Sequence, residues 1–262
     1  MNIAIMSSMP ATLAWLFVER HFSTLKERHI HVRVIIVDEN IARKNGFFSH
    51  ALNVARRQAK IVNCSTMMSF LKICTFKVIT SSSPEAMYEI SEEIRVVKVP
   101  TLNSGLAIEA VSENDCDLIC LMGTRIVTSE TLRALKRPIV NIHTSDPRFV
   151  RGGPAVVWEI LAGHCEIVLT IHQVVAKLDA GAILMQDVQP IIYSGGLGKT
   201  IQNTMVSAQP KIADLFKEVI LRFQDGTLDH KTFPPGPLRV TPKIRETLRA
   251  QMLCRLRTVE AG

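Results

Sequence analysis

The chain predicts an α/β fold: a Rossmann-like, mostly parallel twisted sheet with helices on both faces and a short helical carboxyl-terminal extension. Three observations carry that expectation. Almost wholly apolar runs of strand length at residues 2–6, 31–37 and 117–122 alternate with tracts of helical period, as expected for strands covered on both faces. The first strand, helix and second strand fit within 37 residues, which makes a right-handed βαβ unit the default. Turn-forming residues then gather at 144–154, directly after an apolar strand at 138–143. Open α/β sheets hold their ligands at such carboxyl ends of strands.

Bulk properties narrow the class. The 262 residues are 47% hydrophobic, which excludes a disordered chain and allows one large core with an appendage. The formal charge of +7 is unevenly placed: residues 43–77 and 231–262 hold fourteen Lys and Arg against two acids. Basic character therefore belongs to two appendages, and the remainder is net acidic. Six cysteines, at 64, 74, 116, 120, 165 and 254, form no Cys-x-x-Cys pair, and the amino terminus lacks the order of a secretory signal. Reduced thiols in a cytoplasmic protein are expected. No run approaches the roughly 18 apolar residues of a membrane span.

Taken in order, residues 2–6 read as a first strand, and Ser7-Ser8 turns into a helix over 10–20. That turn has no glycine. A backbone that must approach a phosphate needs one, which argues against a dinucleotide cofactor. The tract 43–77 is basic and apolar together; it reads as helices over the sheet edge, and it also suits peripheral contact with an anionic membrane surface. Ser83-Pro84 opens a helix to about Glu93, capped by serine and rich in early acids. A strand at 96–99, a helix at 104–113 and the apolar strand at 117–122 follow, the last suited to a central parallel position.

The strand at 138–143 places Asn141 and His143 on one face by its period of two. A helix at 155–162 stops at Gly163, and a strand over 167–175 leads to a turn containing Asp179 and Gly181. Beyond Val188 a strand is expected at 189–193, then a helix over 199–223 interrupted or kinked at Pro210. Pro234-Pro235-Gly236-Pro237 is a stiff break before a basic helix at 243–257, which reads as a solvated face. Two tryptophans and two tyrosines, with no aromatic and basic interleaving, give no support for nucleic-acid readout.

Singly, Asn141, His143 and Asp179 are each better read as structural residues. Jointly they are familiar. Asn141-Ile142-His143, Arg151-Gly152, Leu169-Thr170-Ile171-His172 and Leu178-Asp179-Ala180-Gly181-Ala182-Ile183-Leu184 resemble, in order and spacing, the formyltransferases that use 10-formyltetrahydrofolate. The resemblance extends upstream through Val99-Pro100-Thr101-Leu102-Asn103-Ser104 and residues 117–127, and covers roughly residues 95–225.

The resemblance implies a formyltransferase catalytic domain at 1–228, with a helical insert at about 43–77, and a basic extension at 229–262. It implies Asn141, His143 and Asp179 as catalytic residues. The folate pocket would be lined by Met122, Gly123, Arg125, Ile126, Val127, Val175 and Leu178, and the acceptor side by Ser145, Arg151 and Gly152. His172 is read as structural or as support for the site. The donor would be 10-formyltetrahydrofolate, with no metal. The absence of glycine in the first turn argues against the phosphoribosyl acceptor of the glycinamide ribonucleotide branch.

Family members commonly read His-Pro-Ser-Leu-Leu-Pro after the catalytic histidine, where this chain reads His143-Thr144-Ser145-Asp146-Pro147. That loop contacts the acceptor, so the acceptor is what the departure leaves open. An amino sugar, nucleotide-linked, is the acceptor expected, because Arg239-Val240-Thr241-Pro242 and the following helix look like the sugar branch. Methionyl-tRNA or another small amine is an alternative. The tRNA reading would need a β-rich RNA-binding domain after residue 225, which the roughly 35 residues there do not provide. A binding protein without turnover on the same scaffold is the other alternative, and homodimer formation is left open.

Overall fold

A computed structural model describes residues 1–39 and 93–260. The insert expected at 43–77 and the helix expected from Ser83-Pro84 lie outside the described residues. Among those described, β1 (Asn2–Ser8), α1 (Thr12–Glu27), β2 (His31–Asp38) and β3 (Arg95–Val99) build one edge of a sheet. Next come α2 (Gly105–Glu113), β4 (Leu118–Leu121), α3 (Ser129–Leu135) and β5 (Ile139–His143). The short β6 (Arg151–Gly152), α4 (Ala155–Ala162), β7 (Glu166–Gln173) and β8 (Ile183–Pro190) follow. The chain closes with α5 (Leu197–Gln224), β9 (Leu238–Arg239) and α6 (Ile244–Glu260).

The seven-stranded sheet has the order β3-β2-β1-β4-β5-β7-β8. Its first five strands are parallel, and β7 and β8 join antiparallel. β4 lies between β1 and β5, parallel to both, the central position its apolar run predicts. Alternate residues of the parallel strands feed two cores. Ile3, Ile5, Ile35, Val37, Leu118 and Cys120 face a core that includes Phe17 of α1 and Phe216 of α5. Ala4, Met6, Val34, Ile36, Ile119 and Leu121 face the other, with Ala107, Ala110 and Val111 of α2. Burial of each large apolar side chain there contributes about 1.5–3 kcal/mol, so both faces hold the strand ends in place.

Among the elements that differ from expectation, α1 runs on to Glu27 where a helix over 10–20 is expected, and the two-residue strands β6 and β9 are too short to leave a sequence signal. The strand sought at 189–193 is instead β8, beginning at Ile183 and ending at Pro190. Gln186 and Asp187 break its apolar run, but the last strand of a sheet needs only partial burial. The helix α3 was unanticipated because seven residues are too few for a periodic signal; Thr128 caps it by accepting from the Thr131 N–H. Pro210 lies inside a continuous α5. Proline removes the bond to the carbonyl four residues back, here that of Val206, yet the helix continues past it to Gln224.

The carboxyl-terminal segment returns to the body. β9 pairs in parallel with β6, and Ala250 and Cys254 of α6 are fully buried in the core that holds Val156, Val157 and Ile160 of α4. Gln251 accepts from the Leu197 N–H at 2.7 Å, and Thr258 from the Gly195 N–H at 2.7 Å. α6 thus caps the start of α5 while its outer face, including Leu248, Met252 and Leu256, is exposed. Cys116, Cys120, Cys165 and Cys254 are free thiols. No helix among the described residues is long and apolar enough to cross a membrane.

The connection from β7 to β8 is the tightest point near the sheet's carboxyl edge. The Gln173 N–H donates to the Ala182 carbonyl at 2.9 Å, and a Cβ at Gly181 would lie 1.8 Å from the Gln173 carbonyl oxygen. Backbone occupies that space, so only glycine closes the turn. Gly105, by contrast, opens α2 with no atom near a built Cβ. Gly181→Ala is expected to destabilise by about 1–3 kcal/mol or more, read as a lower urea midpoint. Gly105→Ala should be neutral or stabilising by up to about 1 kcal/mol in the same measurement.

Candidate active site

β5 ends with Asn141 and His143 on one side of the strand, and antiparallel pairing with β7 sets His172 opposite Asn141 and Thr170 opposite His143. Directly opposed residues bring their side chains within reach. Asn141 Nδ2 accordingly lies 3.3 Å from His172 Nε2. His172 Nδ1 donates to the Gln173 carbonyl at 2.9 Å, since a carbonyl only accepts, and this turns Nε2 toward Asn141 and Asp179. The same logic applies to His143, whose Nε2 meets the Val150 carbonyl at 2.8 Å. Its Nδ1 is then the basic nitrogen.

Asp179 arrives from the turn between β7 and β8, in the left-handed region at φ 46°. Its Oδ2 accepts from the Gly152 N–H at 2.8 Å and lies 3.6 Å from His143 Nδ1, while Oδ1 lies 3.5 Å from His172 Nε2. Arg151 locks that arrangement from behind. Its guanidinium donates to the carbonyls of Leu178 and Gly236, each at 2.8 Å, which ties the Asp179 turn to the segment before β9. Gly152, at φ 77°, leaves no room for a Cβ, which would sit 2.5 Å from the Arg239 carbonyl oxygen.

Electrostatics follow from this burial. Desolvation pushes the His143 imidazole below its ordinary range, opposed in part by the charge of Asp179 and the bond to Val150. For Asp179, burial raises the carboxyl, but the His172 bond, the charge of His143 and the Gly152 N–H together outweigh it and hold it below the usual carboxylate value. Near neutral pH the pair is therefore a carboxylate beside an uncharged imidazole. Such a ring can take up a proton and have the resulting cation stabilised at once.

These groups face a cavity of about 410 Å³. Asn141, His143, Gly152, His172 and Asp179 form one end, and Gly123, Arg125, Ile126, Val127, Val175 and Leu178 are among the walls. The rim at 123–128 is braced from two sides. Ser8 Oγ accepts from the Arg125 N–H at 3.3 Å, and Asn103 bonds both the Ile126 carbonyl and the Thr128 N–H. The glycine-free first turn thus supports the rim. Met122 lies in the core behind it, with its carbonyl bonded by Ser7 Oγ at 2.6 Å.

Of the residues expected at the site, Met122, Ser145 and Arg151 are buried outside the cavity lining. Ser145 donates to Glu159 on α4, and Arg151 is engaged by the two carbonyls above. His172, read from sequence as support, touches both Asn141 and Asp179. Its place in the motif was visible; its direction depends on the β5 and β7 register. The signal that could have found Glu159 is weak, an acid on the otherwise apolar stretch of α4.

The sequence pattern of the family described as "Formyl transferase" matches residues 15–213. A methionyl-tRNA formyltransferase of Acidiphilium cryptum is 31% identical over 121 residues, 46% of this chain and 37% of that protein. The chain therefore spans well under half the length of that curated relative. Among solved structures, glycinamide ribonucleotide transformylase 1 from Symbiobacterium toebii superposes with a TM-score of 0.57 at 19% identity, covering 91% of this chain and 94% of that one. A sugar N-formyltransferase from Shewanella sp FDAARGOS_354 gives 0.56 at 15%, covering 95% and 87%. These likenesses concern the fold; the match through the sheet and the site is what decides membership: the chain belongs to the formyl transferase family.

Proposed function

We propose that the protein transfers a formyl group from 10-formyltetrahydrofolate to a primary amine, and that the acceptor is an amino sugar, nucleotide-linked. The observation that supports it is the meeting of Asn141, His143 and Asp179 at one end of a single cavity. The donor is a co-substrate, and the residues present suit it. Ile126, Val127, Leu132, Val174 and Val175 offer apolar walls for a flat ring, and the rim at 123–128 offers backbone polar groups for its edge.

Formyl transfer forms a C–N bond to the amine and breaks one to the donor nitrogen, with negative charge on the formyl oxygen between. Asn141 contributes an amide N–H toward that oxygen, beside the one directed at His172; a donor so placed is worth about 3–4 kcal/mol of barrier. His143 Nδ1 takes the proton from the attacking nitrogen and returns it to the departing one. Asp179 stabilises the imidazolium in the interval. His172, anchored by the Gln173 carbonyl, fixes the plane of the Asn141 amide. Gly123, Arg125, Val175 and Leu178 complete the donor pocket, and Gly152 borders the acceptor side. Met122, whose carbonyl accepts from Ser7, backs the rim on the donor side, and Ser145 and Arg151 act on the acceptor side through the loop and turn they hold.

A second acceptor reading has its own support, since the curated relative matched in sequence formylates methionyl-tRNA by its name. Donor turnover with an amine panel of nucleotide-linked amino sugars, free amino sugars and methionyl-tRNA separates the two. The amino-sugar reading expects sugar acceptors to turn over and the tRNA not to. Tight donor binding without any turnover would defeat the enzymatic reading altogether.

His143→Ala and Asp179→Ala should each lower kcat by about 10²–10⁴-fold while thermal unfolding stays cooperative. Equal loss of folding would mark them as structural. Because burial holds His143 below the ordinary imidazole value, the acid limb of kcat/KM should fall below about pH 6.5. Activity is then present above that limb and lost as pH drops through it. Asp179 opposes the downward shift, so Asp179→Asn should move the residual limb to still lower pH; an upward move would contradict the pairing.

A further inference from the structure

The catalytic histidine is oriented by a carbonyl that belongs to a loop, and the loop is held by a buried acid outside the cavity. His143 Nε2 bonds the Val150 carbonyl at 2.8 Å. Val150 ends a tight turn, its N–H and that of Phe149 both donating to the Asp146 carbonyl at 2.9 and 2.8 Å. The turn begins at Ser145, which is fully buried. Ser145 Oγ donates to Glu159 Oε1, and its carbonyl accepts from Thr170 Oγ1 at 3.0 Å. Thr170 in turn accepts from Gln186 Nε2 at 2.9 Å.

Glu159 is 2% exposed on α4, where a carboxyl group costs free energy unless it is bonded. Its second oxygen meets His164 Nδ1 just beyond the helix, and the His164 ring packs 4.9 Å from the Phe149 ring of the same loop. Glu159 and His164 therefore grip the loop at both Ser145 and Phe149. An apolar residue would suit the neighbourhood of Val156 and Ile160 better if α4 only had to pack.

We infer that Glu159, with His164, is a positioning residue for His143, acting through Ser145 and the 145–150 loop on the Val150 carbonyl. This rests on the formyl-transfer reading for its kinetic consequence, although not for its structural one. Without Glu159, Ser145 loses its acceptor, the loop loosens, and the bond that keeps the proton on Nε2 and the lone pair on Nδ1 is no longer held. Misplacement of a catalytic group by about 1 Å can cost about 100-fold in rate.

The test uses the full chain as wild type, Glu159→Ala and Glu159→Gln. In uniformly ¹⁵N-labelled protein, the His143 Nε2–H proton should be visible in the wild type, lost to solvent exchange in Glu159→Ala, and restored in Glu159→Gln, which can still accept from Ser145. With the amine turned over fastest in the panel, Glu159→Ala should lower kcat about 10- to 100-fold with the donor KM within about twofold. Glu159→Gln should recover most of that loss. An unchanged Nε2–H signal in Glu159→Ala, or its absence from the wild type, overturns the inference. So does a kcat unchanged in a variant that is merely less stable. If no amine is turned over, the formyl-transfer reading fails while the proton signal still decides the positioning role. Should Glu159→Ala not fold, Ser145→Ala, which removes only the tie between loop and acid, is read by the same signal.

Discussion

The site depends on one register, the antiparallel pairing of β5 with β7. Because Asn141 faces His172 and His143 faces Thr170 across the ladder, a one-residue slip would turn every one of these side chains to the other side of the sheet. The slip is forbidden by the core. Val140, Ile167, Leu169 and Ile171 are all buried among the helices of one face, and exchanging them with polar neighbours would expose apolar area on several residues at once.

The same antiparallel join also returns the chain quickly. Parallel strands need a long crossover, whereas β7 and β8 connect directly through residues 174–182, and that connection delivers Asp179 beside the strand end carrying Asn141 and His143. The left-handed backbone at Asp179 and the close approach at Gly181 both fall in this connection. The carboxyl-terminal segment adds a second restraint, since Arg151 joins the Asp179 turn to the residues before β9. What begins as a basic arm in composition becomes part of the wall behind the site.

Burial then gives the residues their chemical character. An imidazole taken out of water resists protonation, and a carboxyl group taken out of water resists ionisation. The ring of His172 and the N–H of Gly152 nevertheless hold Asp179 ionised. The arrangement is asymmetric, with an ionised carboxylate beside an imidazole that burial keeps from protonating.

Local pattern is enough for the α/β class, the central place of β4, the strand carrying Asn141 and His143, and α4 with its stop at Gly163. Apolar runs and helical stripes are local properties, and composition states them directly. Resemblance to the formyl transferase family, through motif order and spacing, also marked Asn141, His143 and Asp179 together. Only the tertiary fold shows that β8 begins at Ile183 and that α5 is not interrupted at Pro210, since edge position and the packing along a helix are not local. It alone turned His172 from support into a contact of both Asn141 and Asp179, and set Ser145 and Arg151 behind the cavity. Which way a side chain points across a ladder, and which carbonyls lie within reach of a guanidinium, depend on segments distant in the chain. Those distances come into being only when the strands pair.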